Sequence, residues 1–108
     1  MTEFSHTTTT TPTQAIISVT GELDTHTSIA FKQALLDLVA ANTEVVVDLS
    51  GLTFIDSSGL SVFIAAHKRT LSRDKRVLLD QVPAFLSRIL AITGLDEIIP
   101  VLGAAEKN

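Results

Sequence analysis

Residues 44–69, EVVVDLSGLTFIDSSGLSVFIAAHKR, hold the feature that most restricts the fold. An apolar strand run, Val45, Val46 and Val47, passes through a short loop into Asp56-Ser57-Ser58-Gly59, and an amphipathic helix starts at once. A strand that feeds directly into a helix is half of a β-α-β unit, so a sheet with parallel pairs is expected. The junction also sets a carboxylate and two hydroxyls at a helix N-terminus, where backbone N–H groups lack partners and the macrodipole favours negative charge. Such a place suits the addition of a phosphate, and the segment reads as a switch more than a catalyst.

The rest of the chain repeats the alternation. Residues 15–20, AIISVT, form a strand pattern ending near Gly21-Glu22-Leu23-Asp24. Asp24, Thr25 and Thr27 are candidate caps for a first helix, whose apolar positions Phe31, Ala34, Leu35, Leu38 and Val39 fall at helical spacing and which Asn42 stops. The next strand covers Val45 to Leu49. A second helix is expected over 58–72, burying Leu60, Phe63, Ile64 and Leu71. Arg76 to Val82 reads as a strand. Pro83 and Gly94 bracket a third helix with Leu86, Ile89 and Leu90 inside. Ile98, Ile99, Val101 and Leu102 suggest a last strand, which Pro100 confines to an edge or bulge. The tail after it reads as the start of a truncated helix. Residues 1–14, a Thr-rich segment, are open to two readings, an edge strand turning at Pro12 or a frayed tail; residues 15–108 form one domain.

Composition removes several function classes. The 108 residues are 45% hydrophobic, enough for one core and too few residues for two ordinary domains. No cysteine is present, which excludes disulfides, thiolate metal sites and cysteine nucleophiles. The net charge of −4 argues against nucleic acid as a partner. Five cations, Lys68, Arg69, Arg73, Lys75 and Arg76, nevertheless gather around one aspartate, Asp74. They read as a solvated helix end complementing a C-terminal dipole, or as a patch for an acidic partner. The N-terminus lacks a basic start and an apolar h-region, and no segment approaches the ~20 apolar residues of a membrane span, so a cytoplasmic protein without membrane contact is expected.

Two constellations carry chemistry. Asp56-Ser57-Ser58-Gly59 is at minimum a capping cluster, and a capping serine can also be a kinase substrate. Ser57, placed just outside the first turn, is expected to be the more exposed hydroxyl, with Gly59 allowing close backbone approach. Gly21-Glu22-Leu23-Asp24-Thr25-His26-Thr27 ends the neighbouring strand, which would bring Asp24 and Asp56 to either side of the serine. Neither serine sits in G-x-S-x-G, and no spacing marks His6, His26 or His67 as its base, so acyl-transfer catalysis is not expected. G-x-x-x-x-G-K-[ST] and G-x-G-x-x-G are absent, and Asp24 with His26 makes a weak metal pair, so no catalytic residue, metal or cofactor is expected.

Taken together, Gly21-Glu22-Leu23-Asp24 with Thr27, Val46-Val47-Asp48-Leu49-Ser50 and Phe54-Ile55-Asp56-Ser57-Ser58-Gly59-Leu60 resemble the STAS domain in its stand-alone bacterial form, the anti-anti-sigma factor (anti-sigma factor antagonist) family. Weaker agreement runs through Pro83 and Thr93-Gly94-Leu95, so the resemblance spans about residues 15–102. It implies an α/β fold: a single STAS-type domain with a mixed four- to five-stranded sheet and helices packed mainly on one face. It implies a non-enzymatic regulator of transcription and stress response. Its partners would be an anti-sigma factor that is also a serine-protein kinase and a PP2C-type phosphatase, and the free protein would be a monomer or weak dimer. Ser57 matches the phosphorylated serine; Asp24, Thr27, Asp56, Ser57, Ser58, Gly59 and Ser61 match or adjoin the partner-binding surface. The unphosphorylated form would bind the anti-sigma factor and release the sigma factor. The same fold is compatible with a scaffold subunit of a stress-signalling or lipid-transport complex without a phosphate cycle. Ser61 in Gly59-Leu60-Ser61-Val62, the glycine-free loop 72–76 and the short C-terminus depart from the family pattern.

Overall fold

The computed structural model describes residues 4–71 and 73–105. Its elements are β1 (Ser5–Thr10), β2 (Gln14–Leu23), α1 (Thr27–Ala41), β3 (Glu44–Ile55), α2 (Ser57–Thr70), β4 (Arg76–Asp80), α3 (Ala84–Thr93) and a 3₁₀ turn, Leu95–Glu97. The four strands lie in the order β1-β2-β3-β4. The β2–β3 and β3–β4 pairs are parallel, as α-helical crossovers require, and β1 is antiparallel to β2. The Thr-rich segment is therefore an edge strand. Phe4 anchors its start by an edge-on contact with Phe31, ring centroids 5.7 Å apart.

Period-two alternation sets the inner face of the sheet. Ala15, Ile17, Val19 and Leu23 of β2, Val45, Val47 and Leu49 of β3, and Val77 and Leu79 of β4 all enter one core. The register Val45↔Val77 and Val47↔Leu79 lines these side chains up across strands. Helix α1 buries Phe31, Leu35 and Val39 in that core, and Phe31 meets Phe63 of α2 edge-on at 6.2 Å. At the start of the sheet Glu44 accepts from Gln14 and pairs with Arg76, tying three strands through one carboxylate.

Four departures from the sequence reading have identifiable causes. First, β3 runs on to Ile55 instead of stopping at Leu49. Ser50-Gly51 looks like a break, but it lies where the β2–β3 register shifts, and a Cβ at Gly51 would stand 2.8 Å from the Val19 carbonyl oxygen. The glycine marks close backbone approach within a continuing strand.

Second, α2 buries Gly59, Val62, Phe63, Ala66 and Thr70; Leu60 and Ile64 are half-buried and Leu71 is exposed. The inner stripe follows small residues, which bring the helix close, at the expense of the bulkier ones. The helix ends at Thr70, and the expected end at residue 72 lies outside the described residues.

Third, β4 stops at Asp80, and Val82 pairs only through an isolated bridge. Fourth, the last strand is reduced to two parallel bridges, Leu79↔Val101 and Val82↔Ala104, with Ile98 exposed beside the 3₁₀ turn. Pairing begins at Pro100, whose carbonyl accepts from Leu79 N–H, because proline has no N–H to continue the ladder backwards. The expected start of a C-terminal helix falls on 104–108: the Gly103 carbonyl accepts instead from the Val82 N–H and the Ala105 N–H donates to the Val82 carbonyl, and 106–108 lie outside the described residues.

Candidate functional site

The parallel register brings the two constellations to one end of the sheet. Glu22 pairs with Phe54 and Leu23 with Ile55, so both strands end side by side and each opens into a helix. The Asp56 N–H donates to the Leu23 carbonyl (3.2 Å), which locks the two exits together.

Each exit is organised by its aspartate. Asp56 caps α2: its Oδ1 accepts from the Ser58 N–H (2.9 Å) and the Gly59 N–H (3.3 Å), and its carbonyl accepts from the Leu60 N–H. Asp24 does the same for α1, accepting on Oδ1 from the N–H groups of His26 and Thr27, each at 3.0 Å. The Thr27 N–H, ahead of the Thr27 hydroxyl and the His26 N–H, holds the Asp24 carboxyl below the usual carboxylate range against an opposing desolvation. Of the candidate caps, Asp24 performs the role. Thr27 instead uses its hydroxyl to accept from the Asp24 N–H (2.9 Å), and its single proton faces the Glu22 carbonyl (2.8 Å) and Asp24 Oδ1 (3.1 Å). Both carboxylates thus turn into their own helix starts. The contact that crosses between the motifs is between Thr25 and Ser58, whose hydroxyl oxygens are 3.2 Å apart.

The serines then separate by environment. Ser58 is half-buried and held by Thr25. The exposed Ser61 donates back to the Ser57 carbonyl at 2.8 Å. Ser57 is exposed, and its hydroxyl makes no hydrogen bond among the described residues. It is the first residue of the helix, not a residue outside it as the sequence suggested. Its exposure follows from position: at the first helical residue the side chain points past the capped end, while the next two N–H groups turn inward to Asp56.

Gly59, expected on the contact surface, is buried; a Cβ there would meet Ile55 Cγ1 at 2.6 Å and Leu23 Cγ at 2.9 Å. Its part is close packing. Thr25 was legible only as a cap candidate, and its contact with Ser58 emerges from strand register. Phe54, 45% exposed at the strand end that leads into Asp56, adds an apolar surface that no polar motif signalled.

The histidines are spread apart: His6 on β1 lies 6.3 Å from the Phe31 ring, His26 immediately precedes α1, and His67 stands near the far end of α2. No metal-holding group of three His, Cys, Asp or Glu residues occurs among the described residues. No helix among them is long and apolar enough to cross a membrane.

Known proteins are similar to this chain over most of its length. A family model described as "Mlab, STAS domain" matches residues 6–102. An anti-sigma-B factor antagonist of Listeria monocytogenes is 35% identical over 86 residues, which span 79% of this chain and 75% of that protein. The crystal structure of an anti-sigma factor antagonist from Mycobacterium paratuberculosis aligns with a TM-score of 0.82 at 26% identity, covering 92% of this chain and 85% of that one. The Bacillus cell fate determinant SpoIIAA in its phosphorylated form shares the fold, with a TM-score of 0.74 at 21% identity over 96% of this chain and 93% of that one.

Proposed function

Because the chain belongs to the STAS domain family, we propose that it is an anti-sigma factor antagonist whose binding is switched off by phosphorylation of Ser57. The unphosphorylated protein binds an anti-sigma factor that is also a serine kinase, and so releases a sigma factor; a PP2C-type phosphatase resets it in the cytoplasm. The observation that carries this reading is the sorting of the hydroxyls: Ser58 and Ser61 are engaged, and Ser57 is exposed and unengaged among the described residues. Asp24, Thr25, Thr27, Asp56, Ser58, Ser61 and Phe54 surround the acceptor as the partner's contact surface.

The physics of the switch is local. A phosphate on Ser57 adds about −1.5 to −2 charges at pH 7. At an open helix start that charge would be absorbed by backbone N–H groups. Here the Ser58 and Gly59 N–H groups are already taken by Asp56. The phosphate therefore projects its charge outward beside a carboxylate, and the cost falls on the complex and not on the fold. Repulsion and desolvation at a docked surface weaken binding by about tenfold to several-hundredfold.

Incubation with a cognate anti-sigma kinase and ATP, followed by mass spectrometry, should find the phosphate on Ser57; modification elsewhere with Ser57 bare rejects the assignment. Ser57→Ala should bind the anti-sigma factor and Ser57→Glu should bind it poorly. The STAS fold is also compatible with one alternative, a scaffold subunit of a lipid-transport or stress-signalling assembly without a phosphate cycle. That reading requires the two variants to bind alike.

A further inference from the structure

Two serines stand side by side at the start of α2, and a kinase that marks one must tell it from the other. Adjacent Cα atoms lie about 3.8 Å apart, so an enzyme that seats Ser57 against ATP holds Ser58 within a short shift. Residue type offers no distinction, and the difference comes from outside the motif. The Thr25 and Ser58 hydroxyl oxygens are 3.2 Å apart, while the exposed Ser57 hydroxyl makes no hydrogen bond among the described residues. Thr25 is itself firmly held. On either side of it Asp24 Oδ1 accepts from the His26 and Thr27 N–H groups, each at 3.0 Å, and the Asp24 carbonyl accepts from the Ser28 N–H (2.9 Å). The Ser28 hydroxyl donates to the Thr25 carbonyl (3.4 Å). The branched Cβ of threonine further restricts χ1. The Ser58 backbone is fixed too, through its N–H to Asp56, and the Asp56 N–H on the Leu23 carbonyl ties the two loops together.

We propose that Thr25 is a specificity-determining positioning residue: its hydroxyl holds the Ser58 side chain against the start of α1 and so directs phosphoryl transfer to Ser57. The inference rests on the reading of Ser57 as the phosphoacceptor. In the transfer a serine Oγ forms a bond to the γ-phosphorus of ATP. The bond from that phosphorus to the ADP oxygen breaks, its electron pair leaves on ADP, and the hydroxyl proton passes to a general base of the kinase. Ser57 can present both its lone pair and its proton. Ser58 must first give up Thr25. If Ser58 donates in that contact its proton is engaged, and if it accepts a lone pair is engaged; either way the side chain is turned toward α1. One hydrogen bond of this kind biases the choice by about two- to tenfold.

Phosphorylation of the full chain by a cognate anti-sigma kinase with ATP tests this, read by mass spectrometry as the ratio of Ser58 to Ser57 occupancy at early times. The ratio does not depend on how tightly the kinase docks, so a lost contact between Thr25 and the kinase leaves it unmoved. Thr25→Val keeps the shape and removes the hydroxyl, and should raise the ratio about two- to tenfold. Thr25→Ser keeps the hydroxyl and should hold the native ratio. A Ser57→Ala background removes the preferred acceptor, so slow modification of Ser58 is read directly; adding Thr25→Val should speed it by the same factor at saturating kinase. Thr25 is exposed, and circular dichroism checks that the variants remain folded. A Ser58 share and rate indifferent to Thr25→Val, or raised equally by Thr25→Ser, overturns the role of Thr25 and leaves Ser57 as the acceptor. A native chain modified elsewhere with Ser57 bare overturns the phosphoacceptor reading, and this inference with it.

Discussion

The two ends of α2 differ in how they treat their exposed groups. At the N-terminal end the polar neighbours of Ser57 are engaged with one another: Asp56 accepts from the Ser58 and Gly59 N–H groups, Ser58 meets Thr25, and Ser61 donates to the Ser57 carbonyl. That satisfied frame holds one hydroxyl out. At the C-terminal end the apolar side chains of Leu71 and Ile98 stay half-open along one groove with Lys68. A satisfied frame around one reactive group suits a reversible chemical mark, because the mark changes the surface and leaves the supporting bonds intact. An unsatisfied apolar strip suits association, because covering it is the gain. One helix thus separates a framed hydroxyl from an open apolar strip.

Substitutions at the two ends should break this comparison in graded fashion. The largest stability loss is expected for Gly59→Ala, since the added Cβ meets Ile55 and Leu23 at 2.6 and 2.9 Å inside the core. Overpacking of this kind costs about 1–3 kcal/mol. Each kcal/mol should appear as a drop of roughly 4–8 °C in thermal melting. Asp56→Ala removes the cap of α2 and should cost about 1 kcal/mol by chemical denaturation, with Asp56→Asn costing less because its amide oxygen still accepts from Ser58 and Gly59.

Asp24 sharpens the picture through pH. Its folded carboxyl sits below the ordinary range, chiefly through the Thr27 N–H. The ionised form therefore stabilises the fold above the unfolded pKa, and that contribution is lost as pH falls through the folded one. The melting difference between the native chain and Asp24→Asn should accordingly be full at neutral pH and close on acidification; a difference that stays constant from neutral to acid pH breaks the argument. At the other end, Leu71→Ala should change the melting temperature of the dilute protein least, within about 0.5 kcal/mol, because an exposed side chain gives little to the monomer. A large loss there would mean that Leu71 is structural.

The basic cluster divides along similar lines. Lys75 donates its ammonium to the Val39 and Ala40 carbonyls, both at 2.8 Å, and so caps the end of α1. Arg76 belongs to the Glu44 pair. The dipole reading is met at two helix ends, by Lys68 and Arg69 in the last turn of α2 and by Lys75 at the end of α1, while Arg73 stands exposed beyond α2. The five cations looked equivalent in the sequence because adjacency along the chain says nothing about which helix end lies opposite.

Local pattern was a good guide wherever one face of an element is buried. The alternation through Ala15, Ile17 and Val19, the helical spacing of Phe31, Leu35 and Val39, and the Asp56 cap all translate directly into structure, because each depends on residues within a turn or two. It misled where a long-range contact decides. The strand expected to stop at Leu49 continues because Gly51 admits the close approach of Val19, and Gly59 rather than Leu60 or Leu71 packs closely on Leu23 and Ile55.

By itself, then, the sequence determined the alternation of strands and helices from residue 15 to residue 94, the parallel strand pairs that alternation demands, the pairing of a capping aspartate with adjacent serines at a helix start, and Ser57 as the more exposed hydroxyl. Those follow from periodicity and capping chemistry, which act over a few residues. Only the tertiary structure decided that Thr25 reaches across to Ser58, that Gly59 is buried against Leu23 and Ile55, and that Leu71 and Ile98 share a groove. Those facts depend on register between strands distant in the chain, and register is set by the packing of the whole core.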